Sequence, residues 1–338
     1  MHSLEPKFSL IIPTYHRPGP LCRLLESLEK QNLKPFEVII VEASDNDQTK
    51  VNIEKRNYEL NIRYYIVAIE SKGTPQQRNY GIDLVNTSSD FIAFLDDDLI
   101  VDQEYFKRLY ETYQSYPDAI GVGGIDMHNN GYKIKVPTIE YSRFHYYEID
   151  DWVRVESLRN KARKVFGLMG HLQPGLIPEY SHGRSALPPN GKTYEVEHLI
   201  GMSMSFKREI FNYIGFSSFF EGYGLYEDFD FCVRALKYGK LYVNTNAKVW
   251  HYHEPSGRPD FFKYGKMVVR NGWYVWRVRF PSPSLKARFK WHATTLLLAK
   301  IRLLNVITGP QRINALKDYL GRIYAWIGVI ARPPVRSE

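Results

Sequence analysis

The sequence predicts an α/β protein with a doubly wound, mostly parallel sheet flanked by helices and a C-terminal extension of basic amphipathic helices. Short apolar runs alternate with helical repeats over most of residues 8–250, which is typical of βαβ units. Residues 259–338 instead interleave large apolar side chains with lysine and arginine at helical spacing. With 338 residues, 44% of them hydrophobic, the chain can bury a sizeable core.

The first elements alternate regularly. Residues 8–13 (FSLIIP) predict a buried strand, and leucines at helical spacing predict a helix over 20–31. Further strands are expected at 36–41 and 62–67. A helix is expected over 73–85, because a glycine and a proline stand at its entrance. This order predicts parallel strands joined by helices.

Residues 90–98 (DFIAFLDDD) place Asp96, Asp97 and Asp98 directly after a short apolar run. Such a run predicts a buried strand, and ligands of open α/β sheets bind at the carboxyl ends of the strands. Three adjacent carboxylates repel one another, so the cluster favours a divalent cation such as Mg²⁺ or Mn²⁺ that substrate phosphates would share. The alternative is a solvated acidic turn that caps the next helix.

The regular order continues briefly and then breaks. A helix is expected over about 102–116 and a strand at 119–125. Residues 127–192 show no periodicity, which predicts a binding loop or lid and not a separate domain.

Order returns near residue 194. We expect a strand over 194–206, a short helix over 207–214 and an aromatic, glycine-rich loop over 216–226. A helix over about 227–238 and two short strands within 241–250 follow.

Charge is unevenly distributed along the chain. Residues 259–338 contain 15 Lys and Arg against three acids, a balance of +12, so the rest of the chain carries −4 of the total +8. Amphipathic segments at 285–305 and 311–331 combine this charge with tryptophan, which favours an anionic membrane surface. The alternative is a helical subdomain packed on the core or on a second subunit in a homo-oligomer. Nucleic acid is disfavoured, because the cations lie among large apolar side chains and the body is acidic.

Cysteine usage and hydropathy bear on the compartment. Cys22 and Cys232 are far apart in helical stretches, so we expect packing residues in a reducing compartment. The N-terminus leads directly into a strand, and no apolar run approaches the roughly 20 residues of a spanning helix. We therefore expect a cytoplasmic protein that lies peripherally on the inner face of the cell membrane.

Five segments together resemble the family-2 glycosyltransferases of GT-A fold. In chain order they are IIPTYHRP, EASDND, QQRNYGI before the strand that ends in DDD, YEDFDFCVR and VWHYHEPSG. The resemblance covers roughly residues 8–255. It implies a nucleotide-sugar donor at the carboxyl ends of the first strands and transfer with inversion at the anomeric carbon. We expect this domain over 1–258, and membrane association or oligomerisation through 259–338.

The resemblance implies a nucleotide pocket built by the first two strand ends. Pro13, Thr14 and Tyr15 would line the pocket, together with Arg17. Glu42 stands where these enzymes usually have an aspartate that reads the base, and its extra methylene leaves the base contact open. A UDP-sugar is the expected donor, with dTDP- and GDP-sugars as alternatives.

The resemblance also assigns the diphosphate and metal region. Arg78 matches the basic residue that approaches the diphosphate; the alternative is an arginine on a surface helix. Asp96 would face the nucleoside and Asp98 would ligate the metal. Asp97 belongs to the same donor-binding set, although its side chain points the other way if the backbone stays extended.

The predicted cofactor is a divalent metal, Mn²⁺ or Mg²⁺, that bridges the donor diphosphate as a Lewis acid. His251 matches the histidine that completes the metal site in many relatives, and His253 is the alternative ligand. A structural role is the simpler explanation for a single histidine, but the acidic cluster favours a ligand.

Inverting transfer requires a base that deprotonates the acceptor hydroxyl. The resemblance places this base in the pair Glu227-Asp228, with Asp228 as the base and Glu227 orienting or contacting the acceptor. Trp250 is assigned to the acceptor side as well, and residues 127–192 would form an insertion or loop on that side. The acids also suit a helix N-terminus, and Arg234 would pair with Asp230 four residues earlier.

The sequence therefore predicts a metal-dependent inverting glycosyltransferase that extends a lipid-linked or cell-surface glycan. A sugar nucleotidyltransferase is the first alternative, although the segment LIIPTYHRPGP lacks the glycine-rich, lysine-containing phosphate loop expected there. A basic nucleic-acid-binding protein is the second alternative.

Overall fold

The computed structural model describes residues 6–180, 183–220, 222–254 and 259–335. The chain forms two compact units: residues 1–130 with 189–258, and residues 131–188 with 259–338. We call these the sheet unit and the helical unit. Residues 255–258, at the end of the expected transferase domain, and residue 221, in the expected aromatic loop, lie outside the described residues.

The described residues contain strands and helices in the following order. The strands are β1 (Phe8–Thr14), β2 (Glu37–Glu42), β3 (Ile62–Ile66), β4 (Phe91–Leu95), β5 (Leu99–Val101), β6 (Ala119–Asp126), β7 (Tyr132–Ile134), β8 (Tyr146–Ile149), β9 (Trp152–Val155), β10 (Thr193–Val196), β11 (Ser203–Lys207) and β12 (Lys240–His251). The α-helices are α1 (Pro18–Glu29), α2 (Gln48–Glu54), α3 (Thr74–Asp83), α4 (Tyr105–Ser115), α5 (Leu158–Val165), α6 (Glu227–Ala235), α7 (Phe261–Arg279), α8 (Leu285–Thr308) and α9 (Arg312–Ala331).

One mixed sheet organises the sheet unit. Its order is β10-β12-β6-β11-β4-β1-β2-β3, and β5 pairs with the end of β12. The run β4-β1-β2-β3 is parallel, as is the pair β6 and β12, whereas β11 runs antiparallel between β4 and β6. The prediction of a mostly parallel sheet flanked by helices is confirmed. Parallel strands buried on both faces explain why β1, β2 and β4 read as continuous apolar runs.

Helix α3 lies unusually close to β1. A Cβ atom on Gly81 would come within 2.7 Å of the Ile11 side chain, so glycine permits this approach. The approach lets Gln77 donate hydrogen bonds to the carbonyl oxygens of Thr14 (2.9 Å) and Val41 (2.7 Å). The carboxyl ends of β1 and β2 are thereby tied together by one buried side chain.

Several boundaries differ from the prediction. The two short strands expected within 241–250 are one long strand, β12, with an irregularity between Val243 and Lys248. The helix expected over 207–214 is a 3-10 helix, Arg208–Asn212, and the strand expected over 194–206 is divided into β10 and β11. Helix α2 was not anticipated, because its seven residues span only two turns and carry little periodicity.

The helical unit contains regular structure where a loop was expected. Within 131–188, strands β7, β9 and β8 form an antiparallel sheet, followed by α5. These residues group with 259–338 and not with the sheet unit, which differs from the expected boundary at residue 258. These strands have only three or four residues, and their aromatic and charged side chains follow no clear repeat, so the sequence did not predict them. The acceptor-side role of this segment stays a prediction.

The expected basic helices are present as α7, α8 and α9. A Cβ atom on Gly321 would lie 2.1 Å from the Phe262 carbonyl oxygen, and one on Gly265 would lie 2.2 Å from that of Asp318. Glycine therefore permits the close contact between α7 and α9. An aromatic cluster that includes Trp276 and Trp291 fills the space between the helices. No helix among the described residues is long and apolar enough to cross a membrane.

Candidate functional site

A group of two carboxylates and one imidazole lies at the carboxyl end of β4. Asp96 and Asp98 follow that strand, and His251 is the last residue of β12. The two strand ends meet because β5, directly after the aspartates, pairs with β12 so that Leu99 stands opposite His251. One ligand atom from each of the three side chains lies within 4.8 Å of the other two.

Two features of this group fit a divalent cation. Asp98 Oδ1 lies 2.9 Å from His251 Nε2, yet this buried oxygen has no hydrogen-bond partner among the described residues. Two carboxylate oxygens and an imidazole nitrogen are donors that suit Mn²⁺ or Mg²⁺. The structure adds Asp96, which was expected to face the nucleoside, to the predicted ligands Asp98 and His251. His253 is stacked beside His251, with ring centroids 3.9 Å apart, and is not part of the three-residue group.

The electrostatics of this group keep the Asp98 carboxylate ionised, whereas burial raises the pKa of Asp96. Burial opposes ionisation of Asp98, but His251 and the Glu254 backbone N–H outweigh burial and lower the pKa of Asp98 to about 2. Burial alone would lower the pKa of His251, but Asp98 and Asp96 outweigh it and raise this pKa. A bound cation would replace that proton, since a histidine ligand must be neutral.

Residues 96–98 form an acidic run, and Asp97 makes different contacts from the other two members. Its side chain accepts hydrogen bonds from Thr14 Oγ1 (2.7 Å) and Arg17 Nη1 (2.9 Å). Burial raises the pKa of Asp97 to about 7, although Arg17 and Thr14 act to lower it. Asp97 therefore fastens the acidic run to the end of β1. Thr14 and Arg17, both predicted to bind the donor, make this internal contact.

Arg78 connects the acidic run to a second pair of carboxylates. Its side chain is 1% exposed, so the alternative of an arginine on a surface helix is wrong. Nη1 donates to Glu227 Oε1, whereas Nη2 donates to Asp96 Oδ1 (3.1 Å) and to the carbonyl oxygen of Gly201 (2.7 Å). Nε has no partner among the described residues. The predicted contact with the diphosphate stays a prediction, and the observed contacts are with carboxylates.

Glu227 and Asp228 are the first two residues of α6. Asp228 is partly exposed, and its two oxygens accept hydrogen bonds from the backbone N–H groups of Gly201 (2.7 Å) and Phe229 (2.8 Å). Burial raises the pKa of Asp228, although these two hydrogen bonds act to lower it. Glu227 is buried, and burial raises its pKa to about 8 although Arg78 acts to lower it. Arg78 contacts Glu227 and Asp96, and the charge of Asp228 also acts on its guanidinium. Because one guanidinium cannot neutralise three carboxylates, we expect one of them to hold a proton.

Asp230, the third acid in the first turn of α6, behaves differently. Its side chain is fully buried and accepts hydrogen bonds from Arg234 Nε (2.9 Å) and Nη2 (2.7 Å). The predicted pair four residues apart is therefore confirmed. We therefore interpret Asp230 as a residue that stabilises the fold through Arg234, whereas Asp228, two residues earlier, is partly exposed.

The predicted base-reading residue is occupied by internal contacts. Glu42 is fully buried and accepts hydrogen bonds from the His16 backbone N–H (3.0 Å), the Tyr64 hydroxyl (3.1 Å) and Ser44. Beside it, the ends of β2 and β3 form an open cleft of about 450 Å³ lined by residues 44–47 and 66–69. A base in that cleft would contact these residues, while a contact with Glu42 stays a prediction.

The remaining predicted residues lie nearby in the sheet unit. Pro13 is buried within β1, and Tyr15, directly after β1, is partly exposed. The Lys72 ammonium lies 3.2 Å from the centroid of the Tyr15 ring, a cation–π contact that the sequence analysis missed. Trp250 is partly exposed on β12, opposite Ile100, and its acceptor contact stays a prediction.

Two further missed residues hold the site together. Gly201 donates its N–H to Asp228 and its carbonyl oxygen accepts from Arg78, so one peptide segment joins both. A single glycine in a strand-like run gave no signal for this role. Asp126 accepts a hydrogen bond from the His251 backbone N–H (3.2 Å). The sequence could have indicated Asp126, because it is an acid at the end of an apolar strand, the same pattern that identified the acidic run.

Comparisons with known proteins bear on the family and the fold of the chain. The family model "Glycosyl transferase family 2" matches residues 9–215. The chain is 34% identical to the poly(ribitol-phosphate) beta-N-acetylglucosaminyltransferase TarS of Staphylococcus aureus over 103 residues, which are 30% of this chain and 18% of TarS. It is 24% identical to a glucosyl-dolichyl phosphate glucuronosyltransferase of Haloferax volcanii over 214 residues, 62% of this chain and 55% of that protein. The matches thus span less than a fifth and about half of these relatives.

The fold has a counterpart among solved structures. A mannosyltransferase from Pyrobaculum calidifontis, in complex with GDP-Man and Mn²⁺, superposes with a TM-score of 0.52 at 12% identity, over 98% of this chain and 77% of that one. At this identity the match shows the fold alone. It confirms the predicted GT-A fold. The family match favours sugar transfer over the two alternatives, nucleotidyl transfer and nucleic-acid binding.

Proposed function

Because the chain belongs to glycosyl transferase family 2 and is therefore a glycosyltransferase, we propose that it transfers a sugar, with inversion and with a divalent metal, from a nucleotide-sugar to a hydroxyl group. The observation that carries this proposal is the arrangement around Arg78. On one side lie the candidate metal ligands Asp96, Asp98 and His251, and on the other lie Glu227 and the partly exposed Asp228.

We assign the metal to Asp96, Asp98 and His251. A bound Mn²⁺ or Mg²⁺ would offset the charge of the donor diphosphate and of the leaving nucleotide. Asp97, Thr14 and Arg17 position the ligands, because their contacts fix the acidic run against β1. The Mn²⁺ bound by the Pyrobaculum mannosyltransferase supports this assignment, since that protein has the same fold.

We assign the role of general base to Asp228. It would accept the proton of the acceptor hydroxyl while that oxygen bonds to the anomeric carbon. The bond from this carbon to the phosphate oxygen breaks at the same time, and the electron pair leaves with the nucleotide. The raised pKa suits a base that works near neutral pH. Backbone N–H groups of Gly201 and Phe229 hold the carboxylate in place.

Glu227 and Arg78 are positioning residues in this proposal. Both are buried, and Arg78 binds one carboxylate from each side of the site. The guanidinium thereby fixes the spacing between the metal ligands and the base. Glu227 would orient Asp228 from the adjacent position, and its predicted contact with the acceptor stays a prediction.

We further propose a UDP-sugar as the donor, with its base in the cleft formed by residues 44–47 and 66–69, and dTDP- or GDP-sugars as alternatives. For the acceptor we propose a lipid-linked or cell-surface glycan, with the enzyme on the inner face of the cell membrane. The names of two relatives support this class, since one acts on poly(ribitol phosphate) and the other on glucosyl-dolichyl phosphate.

A thermal-shift panel tests the donor site. UDP, dTDP, GDP and CDP are added singly, each with Mn²⁺, Mg²⁺ or a chelator, to wild type and Asp98→Ala. A ligand that binds only the folded state raises the melting temperature, by mass action. We expect one nucleotide to give a metal-dependent rise that Asp98→Ala abolishes and that Asp83→Ala, an exposed acid of α3, retains. If no nucleotide shifts the folded wild type with either metal, the proposed donor site is wrong.

A further inference from the structure

Helix α8 has two apolar sides, and only one of them is buried. Its inner side packs Ala287, Trp291 and Thr294 into the helical unit. The opposite side is apolar along the whole helix, about 36 Å at 1.5 Å per residue. Its members are spaced by four, seven, seven and four residues, so they share one side of the helix: Leu285, Phe289, Leu296, Leu303 and Ile307. Leu285 is 82% exposed and Phe289 is 73% exposed.

Helix α5 adds a second exposed apolar group in the same unit. Leu158, Val165 and Phe166 are each at least 65% exposed, and their spacing places them on one side of α5 and its end. The two helices are joined, because Lys290 Nζ donates a 2.9 Å hydrogen bond to the carbonyl oxygen of Gly167. The exposed Phe289 and Phe166 immediately precede the two residues that make this bond. We call Leu158, Val165 and Phe166, together with the five residues of α8 named above, the outer face.

The two helices that carry the outer face are basic, and the carboxylate of the exposed Glu179 lies at the start of α8, where it accepts a 3.2 Å hydrogen bond from the Ser284 N–H. Residues 261–317 contain no aspartate or glutamate, and neither does α5. Exposed cations on α8 include Lys286, Arg288 and Lys300, and Arg159 on α5 is exposed as well. Single apolar residues on a surface are ordinary, whereas a long apolar stripe with cations beside it marks an interaction surface.

We propose that the outer face docks on an anionic lipid bilayer, with α8 lying in the plane of the membrane interface. A bilayer offers both chemistries that the face needs: an acyl boundary that accepts leucine and phenylalanine side chains, and headgroups that attract lysine and arginine. The proposal extends the proposed acceptor class by naming the surface that would hold the enzyme beside a lipid-linked substrate.

Other occupants fit the outer face less well. A second copy of this chain would bring the same cations against each other in a symmetric interface. A nucleic acid would satisfy the cations but would leave the exposed leucines and phenylalanines in water. The lipid surface is the occupant that complements both the charge and the apolar stripe.

Vesicle flotation of the full chain tests the proposal. The vesicles are pure phosphatidylcholine, or phosphatidylcholine and phosphatidylglycerol in equal proportion. We expect binding to the anionic vesicles, weaker binding at high salt, and at least a tenfold loss in the double variant Leu285→Ser/Phe289→Ser, because both side chains leave the acyl boundary. Lys286→Gln/Arg288→Gln should lose roughly fivefold per charge removed.

Matched controls make the result specific. Tyr213 in the sheet unit is 67% exposed, similar to Phe289, so Tyr213→Ser should bind vesicles as wild type does. Circular dichroism confirms that each variant is folded. The proposal is overturned if the wild type does not bind anionic vesicles, binds neutral ones equally, or binds no better than the double variant. A dimer in sedimentation that the double variant dissociates would assign the face to a second copy instead. No nucleotide is used, so this test and the donor test fail independently.

Discussion

The sheet unit buries charged side chains, whereas the helical unit exposes large apolar side chains. In the sheet unit, Arg78 within α3, Glu227 at the start of α6 and Asp98 after β4 are almost fully buried. In the helical unit, large apolar side chains such as Phe289 and Leu285 remain outside. Buried charge and exposed apolar surface both cost free energy in an isolated chain. Each feature is what we expect where a partner binds, and we propose a charged ligand for the sheet unit and an apolar surface for the helical unit.

The helical unit also has a buried acid, and its surroundings sharpen the contrast. Asp318 is paired with Arg302 (2.8 Å) and Arg322 (2.6 Å), so two cations surround one carboxylate. In the sheet unit, Arg78 contacts two carboxylates, and the charge of Asp228 also acts on it. The buried atoms Asp98 Oδ1, Glu227 Oε2 and Arg78 Nε lack hydrogen-bond partners among the described residues, although Asp98 Oδ1 forms an ion pair with His251. Two cations face one carboxylate in the helical unit, whereas in the sheet unit one guanidinium faces more carboxylates than it can neutralise. Such an excess of negative charge is what we expect of a site that binds a cation.

The largest effect is expected from removing a metal ligand. Asp98→Asn should reduce sugar transfer on the order of 10³-fold, because a bound cation contributes several kcal/mol of charge stabilisation. Titration of Mn²⁺ by calorimetry and assays of donor turnover measure the effect. The exposed Asp83→Asn serves as the control. Unchanged Mn²⁺ affinity in Asp98→Asn would remove Asp98 from the metal site.

The next prediction compares two neighbouring acids of α6. Asp228→Asn should lower kcat by about 10²–10⁴-fold, as expected for loss of a general base, with little change in melting temperature. Asp230→Asn should chiefly lower the melting temperature, because it weakens the buried pair with Arg234. Steady-state kinetics and thermal unfolding separate the two. Equal losses of kcat in both variants would contradict the assignment of the base.

A third prediction concerns the two kinds of charge compensation. Above pH 8, where Glu227 is ionised, Arg78→Met should cost about 3–5 kcal/mol of unfolding free energy, because it leaves this buried carboxylate without its cation. Arg322→Met should cost less, since Arg302 still pairs with Asp318. Urea unfolding of both variants measures the difference. A larger cost for Arg322→Met would reverse the proposed contrast between the units.

A fourth prediction follows from the raised pKa of Glu227, about 8 against an ordinary value of 4.5. The folded state holds this proton more tightly than the unfolded state, so the contribution to stability is full below about pH 4.5 and is lost as pH rises through 8. Glutamine stays neutral throughout. The stability of Glu227→Gln relative to wild type should therefore improve from pH 5 to pH 8, measured by urea unfolding with a metal chelator. A difference that is constant with pH would contradict the shift.

The smallest effect is expected on the outer face. Leu285→Ser and Phe289→Ser should change the unfolding free energy by less than about 0.5 kcal/mol, because both side chains already lie in water. Trp291→Ala, on the inner side of the same helix, should cost about 3–5 kcal/mol. Urea unfolding in the absence of vesicles provides the measurement. A large loss in the serine variants would mean that the outer face is covered within the protein.

Local patterns in the sequence were sufficient for much of the fold. The apolar runs of β1, β2 and β4 and the leucine spacing of α1 predicted these elements, because burial on a strand or on one helix side imposes a short repeat. The same reasoning located the aspartates after β4. The motif resemblance singled out the acids that begin α6. The basic helices α8 and α9 were recognisable for the same reason.

Tertiary structure alone decided how the charges are used. Asp97 turns to Thr14 and Arg17, Asp96 joins Asp98 and His251, and Arg78 is buried between carboxylates. Its partner Glu227 is 149 residues away in the chain, so no local repeat relates the two. Likewise, only packing showed which side of α8 stays exposed. Burial and charge compensation depend on neighbours in space, and the sequence lists only neighbours along the chain.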